Sequence, residues 1–361
     1  MNTFSEIESK IFKNEEVLSP DYLPEFLPHR EDKIKQIARN LMPVAKGLAG
    51  QNTFIFGPPG IGKTHVVKFV FREFEEFSES VKTIYINCWS YNTALSILTK
   101  IANELEIFVP RRGISKDEVL ERLIEFLGKT KKGLVVCLDE VDQLIFKSEE
   151  VLYDLLRINQ YLKNPVCLVF ISNFKDVFVK LDPRIKSSLR IEEIEFKPYS
   201  LQEMKDILEE RIKNAFHSVE EGVAILVANF AVQKGSDVRV GLECLLKAGR
   251  LAESENSNKL KVSHVKEVLP EIKPAKPKIL EESVSGNEKI ILEILKERKS
   301  LTSGELYEEY CKRVERPISD RAFRDLINHL NQVKLIKVKE VKKGMKGKTR
   351  MISISKLLCN S

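Results

Sequence analysis

The chain has little of what would mark a membrane protein, a secreted disulfide scaffold or a metal cluster. Its 361 residues include six cysteines, Cys88, Cys137, Cys167, Cys244, Cys311 and Cys359, scattered singly and mostly inside apolar runs. No CxxC pair or histidine cluster accompanies them, which argues against a zinc site and for reduced, mostly buried thiols. No apolar run approaches the roughly 20 residues a membrane helix needs. The longest, "LVVCL", "VCLVFIS" and "VAILVANFAV", have the look of buried strands or a core helix. The opening "MNTFSEIESKIF" lacks the basic-then-apolar order of a secretory signal. The expectation is a cytoplasmic protein with no membrane partner. Internal repeats and low-complexity tracts are also missing.

What is present is an ordinary globular mix, 43% hydrophobic and 31% charged, on a chain longer than one core normally supports. Two or three domains are expected. The net charge of +6 is unevenly placed: from Lys296 onward about 17 Lys and Arg face about 8 Asp and Glu, so this part is near +9 and the rest slightly negative. Such asymmetry predicts a polyanionic partner for the C-terminal end.

Residues 30 to 47 carry Ile34, Ile37, Ala38, Leu41 and Ala45 on one helical face. "NTFIFG" reads as a strand, followed by a glycine loop and a helix bearing Val66, Val67, Val70 and Phe74. "VKTIYINC" is a second strand. "TALSILTKIANEL" and "KDEVLERLIEFL" read as helices on either side of "EIFVPRRGIS", where Pro110 and Gly113 mark a turn. "GLVVCLDEVD" and "NPVCLVFISN" are continuous apolar runs, the pattern of central parallel strands. Together these predict an α/β sandwich over about residues 50 to 195. A helical part follows to about 269, opened by a capping box of Ser200 and Glu203. "PEIKPAKPKILEESVSG", rich in Pro and Lys, reads as a linker to a third domain.

"GPPGIGKT" matches GxxxxGK[ST] between a predicted strand and a predicted helix, the context that motif requires. In it Gly57, Gly60 and Gly62, with Pro58, Pro59 and Ile61 between them, would let main-chain amides face a phosphate chain at the positive end of the helix. Lys63 would reach the β- and γ-phosphates of ATP, and Thr64 would offer a hydroxyl to Mg²⁺. The plainer reading is a glycine-rich turn with Lys63 solvated. Asp139 and Glu140 end a buried strand, where ligands of doubly wound sheets bind. Asp139 would hold Mg²⁺ through its waters and Glu140 would polarise the attacking water; alternatively the two acids cap the next helix. Asn173, after "VFIS", is either a water-orienting group or a turn residue.

In the basic C-terminal part, "SGNEKIILEILKER", "TSGELYEEYCKRV" and "SDRAFRDLINHLNQ" read as three helices, and "KLIKVKEV" and "TRMISIS" as two strands around "KKGMKGK". Three helices and a hairpin make a winged helix. Phe323, Leu326, Ile327, Leu330 and Val333 form the buried stripe of the third helix, leaving Arg321, Arg324 and Asn328 on another face, suited to a major groove. Lys342, Lys343, Lys346, Lys348 and Arg350 lie near the wing tip, where they would meet phosphate or minor groove. A solvated hairpin face is the alternative.

With "LDPRIKSSLR", "KPYSLQEM" and "GSDVRVGLECLLKAGRLAE" added, this succession resembles the AAA+ ATPases. Within them it is similar to the archaeal replication initiators related to the eukaryotic origin recognition complex and its helicase-loading partner. The likeness covers nearly the whole chain. It implies an AAA+ parallel-sheet core over residues 1–195, a helical lid over 196–269, a linker over 270–285 and a winged helix over 286–361. By resemblance, "LPHRE" (Pro28 to Glu31) lies near the adenine of ATP or ADP, and Tyr199 and Arg211 lie at the nucleotide. Arg239 of "GSDVR" would be a lid sensor of the γ-phosphate, and Arg184 of "PRIKSSL" an arginine finger acting on a neighbour's nucleotide.

A finger in trans would leave the isolated monomer slower on the order of 10³ than a completed interface, a switch more than a motor. Arg111 and Arg112 sit where the family carries an inserted DNA-contacting element, although a solvated turn pair is equally open. The implied partners are double-stranded origin DNA, the replicative minichromosome-maintenance helicase and other initiator subunits, in the nucleoid. Two departures stand out: Phe174 follows the sensor Asn where an acid is expected, and "KKGMKGK" has fewer glycines than the family's wing. Competing functions are a transcription-regulating ATPase, which would carry an added sensor or repeat region, and a DNA-binding protein keeping ADP as a structural part.

Overall fold

Every residue of "GLVVCLD" is buried, because it is covered on both faces. Val135 and Cys137 join one hydrophobic core, and Leu134, Val136 and Leu138 join another on the opposite side. Apolar residues at both parities are what a central parallel strand requires. A computed structural model describes residues 9–110, 113–130, 132–148, 150–163, 165–272, 286–298, 300–314, 317–332, 336–342 and 348–354. It divides into two units, Met1–Pro274 and Ala275–Ser361.

In the first unit α1 (Glu31–Ala45) precedes β1 (Thr53–Phe56), α2 (Lys63–Phe77) and β2 (Val81–Asn87). Helices α3 (Ala94–Glu104) and α4 (Lys116–Lys129) lead to β3 (Gly133–Asp139). Helices α5 (Val141–Ser148) and α6 (Glu150–Ile158) lead to β4 (Cys167–Ser172), and α7 (Pro183–Leu189) to β5 (Glu192–Glu195). The sheet runs β2-β3-β4-β1-β5, parallel throughout. Its register places Asn87 beside Asp139, Asp139 beside Ile171 and Phe56 beside Ser172. The carboxyl ends of four strands therefore open on one edge, where such sheets bind ligands.

Four helices follow: α8 (Leu201–Ala215), α9 (Val223–Gln233), α10 (Val238–Ser254) and α11 (Val262–Val268). The predicted capping box starts α8: the Glu203 N–H donates to Ser200 Oγ at 3.3 Å, and the Ser200 N–H to Glu203 Oε2 at 2.7 Å, a pairing worth about 1 kcal/mol. That main-chain bond holds the Glu203 carboxyl below its ordinary value. "VAILVANFAV" is the helical option, α9, with Val223, Val227, Ala228 and Ala231 buried.

The second unit packs α12 (Gly286–Arg298), α13 (Ser303–Arg313) and α14 (Asp320–Gln332) against an antiparallel sheet ordered β6 (Ser300–Thr302), β8 (Lys348–Ile354), β7 (Ile336–Lys342). Its core joins Ile291, Leu295, Leu306 and Ile352 to an aromatic group in which Phe323 lies 4.9 Å from Tyr307 and 5.2 Å from Tyr310. In the predicted stripe of α14, Phe323, Ile327 and Leu330 are buried and Leu326 is partly so; Val333 lies outside the described residues, as do 273–285 of the expected linker. Two strands escape the sequence pattern. β5 buries only Ile194 among three glutamates, and β6 is three residues long.

Candidate functional site

The loop from β1 to α2 is shaped by its glycines. Gly57, Gly60 and Gly62 have φ of 150°, 72° and 84°, open to glycine without steric cost. A Cβ on Gly57 would stand 2.2 Å from the Phe196 carbonyl oxygen, and one on Gly60 1.9 Å from Asp237 Oδ1. Ile61, fully buried, anchors the loop to the core. Lys63 opens α2, and its Nζ donates to the carbonyls of Gly57 (2.8 Å) and Pro58 (2.7 Å) and to Asn173 Oδ1 (2.8 Å). All three ammonium donors are therefore used. Burial pulls this ammonium down to about 8 against the opposing charge of Asp139, and Arg239 adds to the depression. An incoming polyanion would reverse that shift.

Thr64 Oγ1 donates to Asp139 Oδ2 at 2.6 Å, joining the first turn of α2 to the end of β3. The same oxygen accepts from the Tyr85 hydroxyl at 2.7 Å, and Asp139 Oδ1 accepts the Glu140 N–H at 2.8 Å. Burial and the Asp139 charge hold the Tyr85 phenol well above its ordinary value, so it stays a donor. Glu140 has a φ of 55°, a left-handed conformation costing about 1–3 kcal/mol outside glycine. Burial, with Asp139 and Asp142 beside it, pushes its carboxyl up to about 7, while Asn87 Nδ2, 3.5 Å from Oε2, opposes the rise. Asp142 accepts from Ser172 Oγ at 2.7 Å, tying α5 to the end of β4.

The start of α10 rests on this loop: the Val238 N–H donates to the Gly60 carbonyl at 3.0 Å. Asp237 caps α10 by accepting the Arg239 N–H and also binds that residue's guanidinium. Tyr199 is buried, its hydroxyl 3.2 Å from where a Cβ on Gly62 would stand. The Arg30 guanidinium lies 3.8 Å over the Tyr199 ring and donates to the Ile61 and Lys197 carbonyls.

The structure therefore brings Gly57 through Thr64, Asp139, Glu140 and Asn173 together, with Tyr199 and Arg239 at the loop's edge. Arg211 is buried on α8, donating to the carbonyls of Val17 at 3.0 Å and Tyr22 at 3.5 Å. Its charge helps burial depress His65, which follows Thr64 in α2. The Arg184 side chain is 85% exposed on α7 and, among the described residues, pairs with Asp182. Arg111, Arg112, Lys343 and Lys346 lie outside the described residues. Arg321, Arg324 and Asn328 are exposed on α14, Arg350 is exposed on β8, and Lys342 and Lys348 pair in register on β7 and β8. The sequence reading missed Tyr85, Asn87, Asp142 and Asp237 altogether. Strand periodicity put Tyr85 and Asn87 on one face near a strand end, which was the available signal.

The residues fit Mg²⁺–ATP. The Arg30 Nε is buried beside Tyr199 with no partner among the described residues, and a buried unpaired donor points to a missing acceptor. The loop offers amides, Lys63 and a helix N-terminus to phosphate. Thr64 and Asp139 offer hard oxygens, and among the described residues no group of three or more His, Cys, Asp or Glu is arranged to hold a metal ion by itself. That sparse set suits Mg²⁺, which is held by one or two protein ligands plus phosphate oxygens.

Residues 48–173 match the AAA domain family, 205–269 the Cdc6 AAA+ ATPase-type lid domain, and 290–356 the CDC6 C-terminal winged helix domain. The chain is 38% identical to ORC1-type DNA replication protein 1 of Archaeoglobus fulgidus, across 98% of this chain and 91% of that one. The chain belongs to the ORC1-type DNA replication proteins. It is equally 38% identical to the ORC1-type DNA replication protein of Pyrococcus abyssi, over 96% of this chain and 88% of the relative. The solved structure of Aeropyrum pernix ORC1 in complex with DNA superposes with a TM-score of 0.75 at 32% identity, covering 97% of this chain and 95% of that one. The AAA+ core, Cdc6-type lid and winged helix of this ORC1-type chain agree with the fold expected from its sequence. No helix among the described residues is long and apolar enough to cross a membrane.

Proposed function

We propose that the chain is an ATP-regulated replication initiator that binds double-stranded origin DNA and helps recruit the replicative minichromosome-maintenance helicase, with slow ATP hydrolysis as its switch. The observation that carries this reading is the 2.6 Å bond between Thr64 and Asp139 under a lysine held at the glycine loop. It joins a phosphate-binding helix to a strand-end acid. Lys63, Arg239 and the loop amides would hold the phosphates, and Thr64 and Asp139 the Mg²⁺. Bound Mg²⁺–ATP supplies the phosphoanhydride bond and compensating positive charge. Glu140, with its raised affinity for protons, would take a proton from water, and Asn173, now on Lys63, would orient that water. Arg184, exposed on α7, would serve a neighbouring initiator subunit.

The winged helix supports the DNA half of the reading, as do the relatives' names as DNA replication proteins and the solved DNA complex. Footprinting on the genomic DNA of the source organism, with ATP, with ADP and with Glu140→Gln, tests it. Protection at origins that changes between ATP and ADP, and that Glu140→Gln locks in the ATP pattern, is the expected result. Protection beside promoters and away from origins would transfer the chain to transcriptional control. For Arg184, single-turnover hydrolysis by the Arg184→Ala monomer should equal that of the wild-type monomer; a slower monomer would place the arginine in cis.

A further inference from the structure

Thr64 and Asp139 would hold the metal, and Asp139 has a second side-chain partner besides Thr64. On β2, Thr83, Tyr85 and Asn87 point to one face by strand periodicity, and the parallel register sets Tyr85 beside Cys137 and Asn87 beside Asp139. Tyr85 thus starts two residues short of Asp139, and the long phenol spans the gap to reach Oδ2 at 2.7 Å. Shorter Asn87 starts level with Asp139 and approaches Glu140 instead. The two β2 side chains divide the two strand-end acids between them.

We propose that Tyr85 is a positioning residue for the magnesium site, fixing the orientation of the Asp139 carboxylate that would hold the metal. This rests on the nucleotide-binding reading above. Without Tyr85 the carboxylate would keep one donor on each oxygen, Thr64 and the Glu140 N–H, whereas a second donor meeting Oδ2 from another element narrows its rotation further. Three hydrogen bonds on Asp139 are supplied by the protein: Thr64 and Tyr85 to Oδ2, and the Glu140 N–H to Oδ1. The remaining capacity lies on Oδ1. The phenol is itself held, since Lys68, one turn after Thr64 on α2, places its Nζ 4.7 Å from the Tyr85 ring centre. The ring therefore bridges α2 to β3 at the level of the metal ligands. Groups that orient metal ligands commonly cost 10–100-fold in metal affinity when removed.

The test uses the full chain, with ADP binding followed by calorimetry in EDTA and across a Mg²⁺ series. Tyr85→Phe keeps the ring and removes the hydroxyl, so the Mg²⁺ midpoint should rise by about tenfold while affinity in EDTA stays within about twofold of wild type. Thr83→Val is the control: it removes a hydrogen bond to Glu75 from the same face of the same strand, and its midpoint should not move. Mn²⁺ binding by paramagnetic resonance gives a second readout of the metal alone. An unmoved midpoint in Tyr85→Phe overturns the proposal. So does an equal loss with and without Mg²⁺, or a matching shift in Thr83→Val, either of which would make Tyr85 merely structural. If wild type binds no nucleotide at any Mg²⁺ level, the reading beneath falls and takes this inference with it; wild-type Mg²⁺ dependence that Tyr85→Phe reproduces removes the inference alone.

Discussion

Asp237 grips Arg239 with both carboxylate oxygens, Oδ1 at 2.9 Å from Nε and Oδ2 at 2.6 Å from Nη2, while pressing against Gly60 of the phosphate loop. The lid arginine is thus held by an acid packed against Gly60, and on the proposed function it would have to leave that acid to read a γ-phosphate. Asp237→Asn keeps the helix cap, since Asn caps as well as Asp, and removes the competing charge. The Arg239 side chain is 44% exposed, so solvent screens the pair and its worth is at most about 1 kcal/mol. ATP should therefore bind about 2–5-fold tighter to Asp237→Asn, with ADP unchanged, and Arg239→Ala should erase the preference. Equal shifts for ATP and ADP would show that Arg239 does not read the γ-phosphate.

Gly60 and Gly128 make a contrasting pair. At Gly60 a methyl group meets the Asp237 carboxylate, and the φ of 72° is one an L-residue enters at about 1–2 kcal/mol. At Gly128, near the end of α4, a Cβ meets nothing within 4 Å and φ is not positive, so alanine gains helix propensity worth about 0.5–1 kcal/mol. Thermal unfolding by circular dichroism should show Gly60→Ala melting roughly 2–8 °C lower and binding nucleotide poorly. Gly128→Ala should melt at or above wild type. Reversed signs would mean that the loop does not hold this shape in solution.

Where chemistry and periodicity coincide, the sequence already shows the structure. "GPPGIGKT" lies between a strand and a helix, Asp139 ends a strand with apolar residues at both parities, and Ser200 with Glu203 caps α8. β5 fails to show because "EEIE" offers one apolar residue, enough to pair beside β1 but too few to form a pattern. Tyr85 and Asp237 are hidden for a different reason. Tyr85 reaches Asp139 through a strand register and Asp237 meets Gly60 through a lid contact, and neither distance is written in local spacing. Arg211 shows the reverse limit. Resemblance sets it at the nucleotide, but no local pattern announces that its guanidinium is buried and donates to the Val17 and Tyr22 carbonyls of the N-terminal segment.

The cysteines give a pH-dependent prediction. Cys88, Cys137, Cys167 and Cys244 are all buried, and burial drives every one of these thiols upward, Cys167 and Cys244 to about 12. Since the thiolate is the reactive form, iodoacetamide should leave all four unmodified between pH 7 and about 9 in the native protein and label them once it is unfolded. Mass analysis of the peptides reads this directly. The linkage has a definite sign: above about pH 8.5 the unfolded thiols lose protons that the folded ones keep. The unfolded state then binds fewer protons, and stability falls as pH rises. Rapid native labelling of any of the four would show that its core opens.

On α14, Arg321, Arg324 and Asn328 are exposed, but Arg324 is shared with Asp320, Nη2 to Oδ2 at 2.6 Å and one turn apart. Both side chains are more than half exposed, so the pair is weak and phosphate can displace it. If this face meets duplex DNA, each arginine that neutralises a phosphate contributes about one counterion to the salt dependence. Arg321→Ala and Arg324→Ala should each flatten the slope of log affinity against log salt by about 1, measured by fluorescence anisotropy over a KCl series. Asp320→Ala acts in the opposite direction, because it removes a repelling acid and frees Arg324, and it should tighten binding most at low salt, where screening is least. A slope unchanged in all three variants would move the DNA contact off α14 and onto the hairpin that carries Arg350.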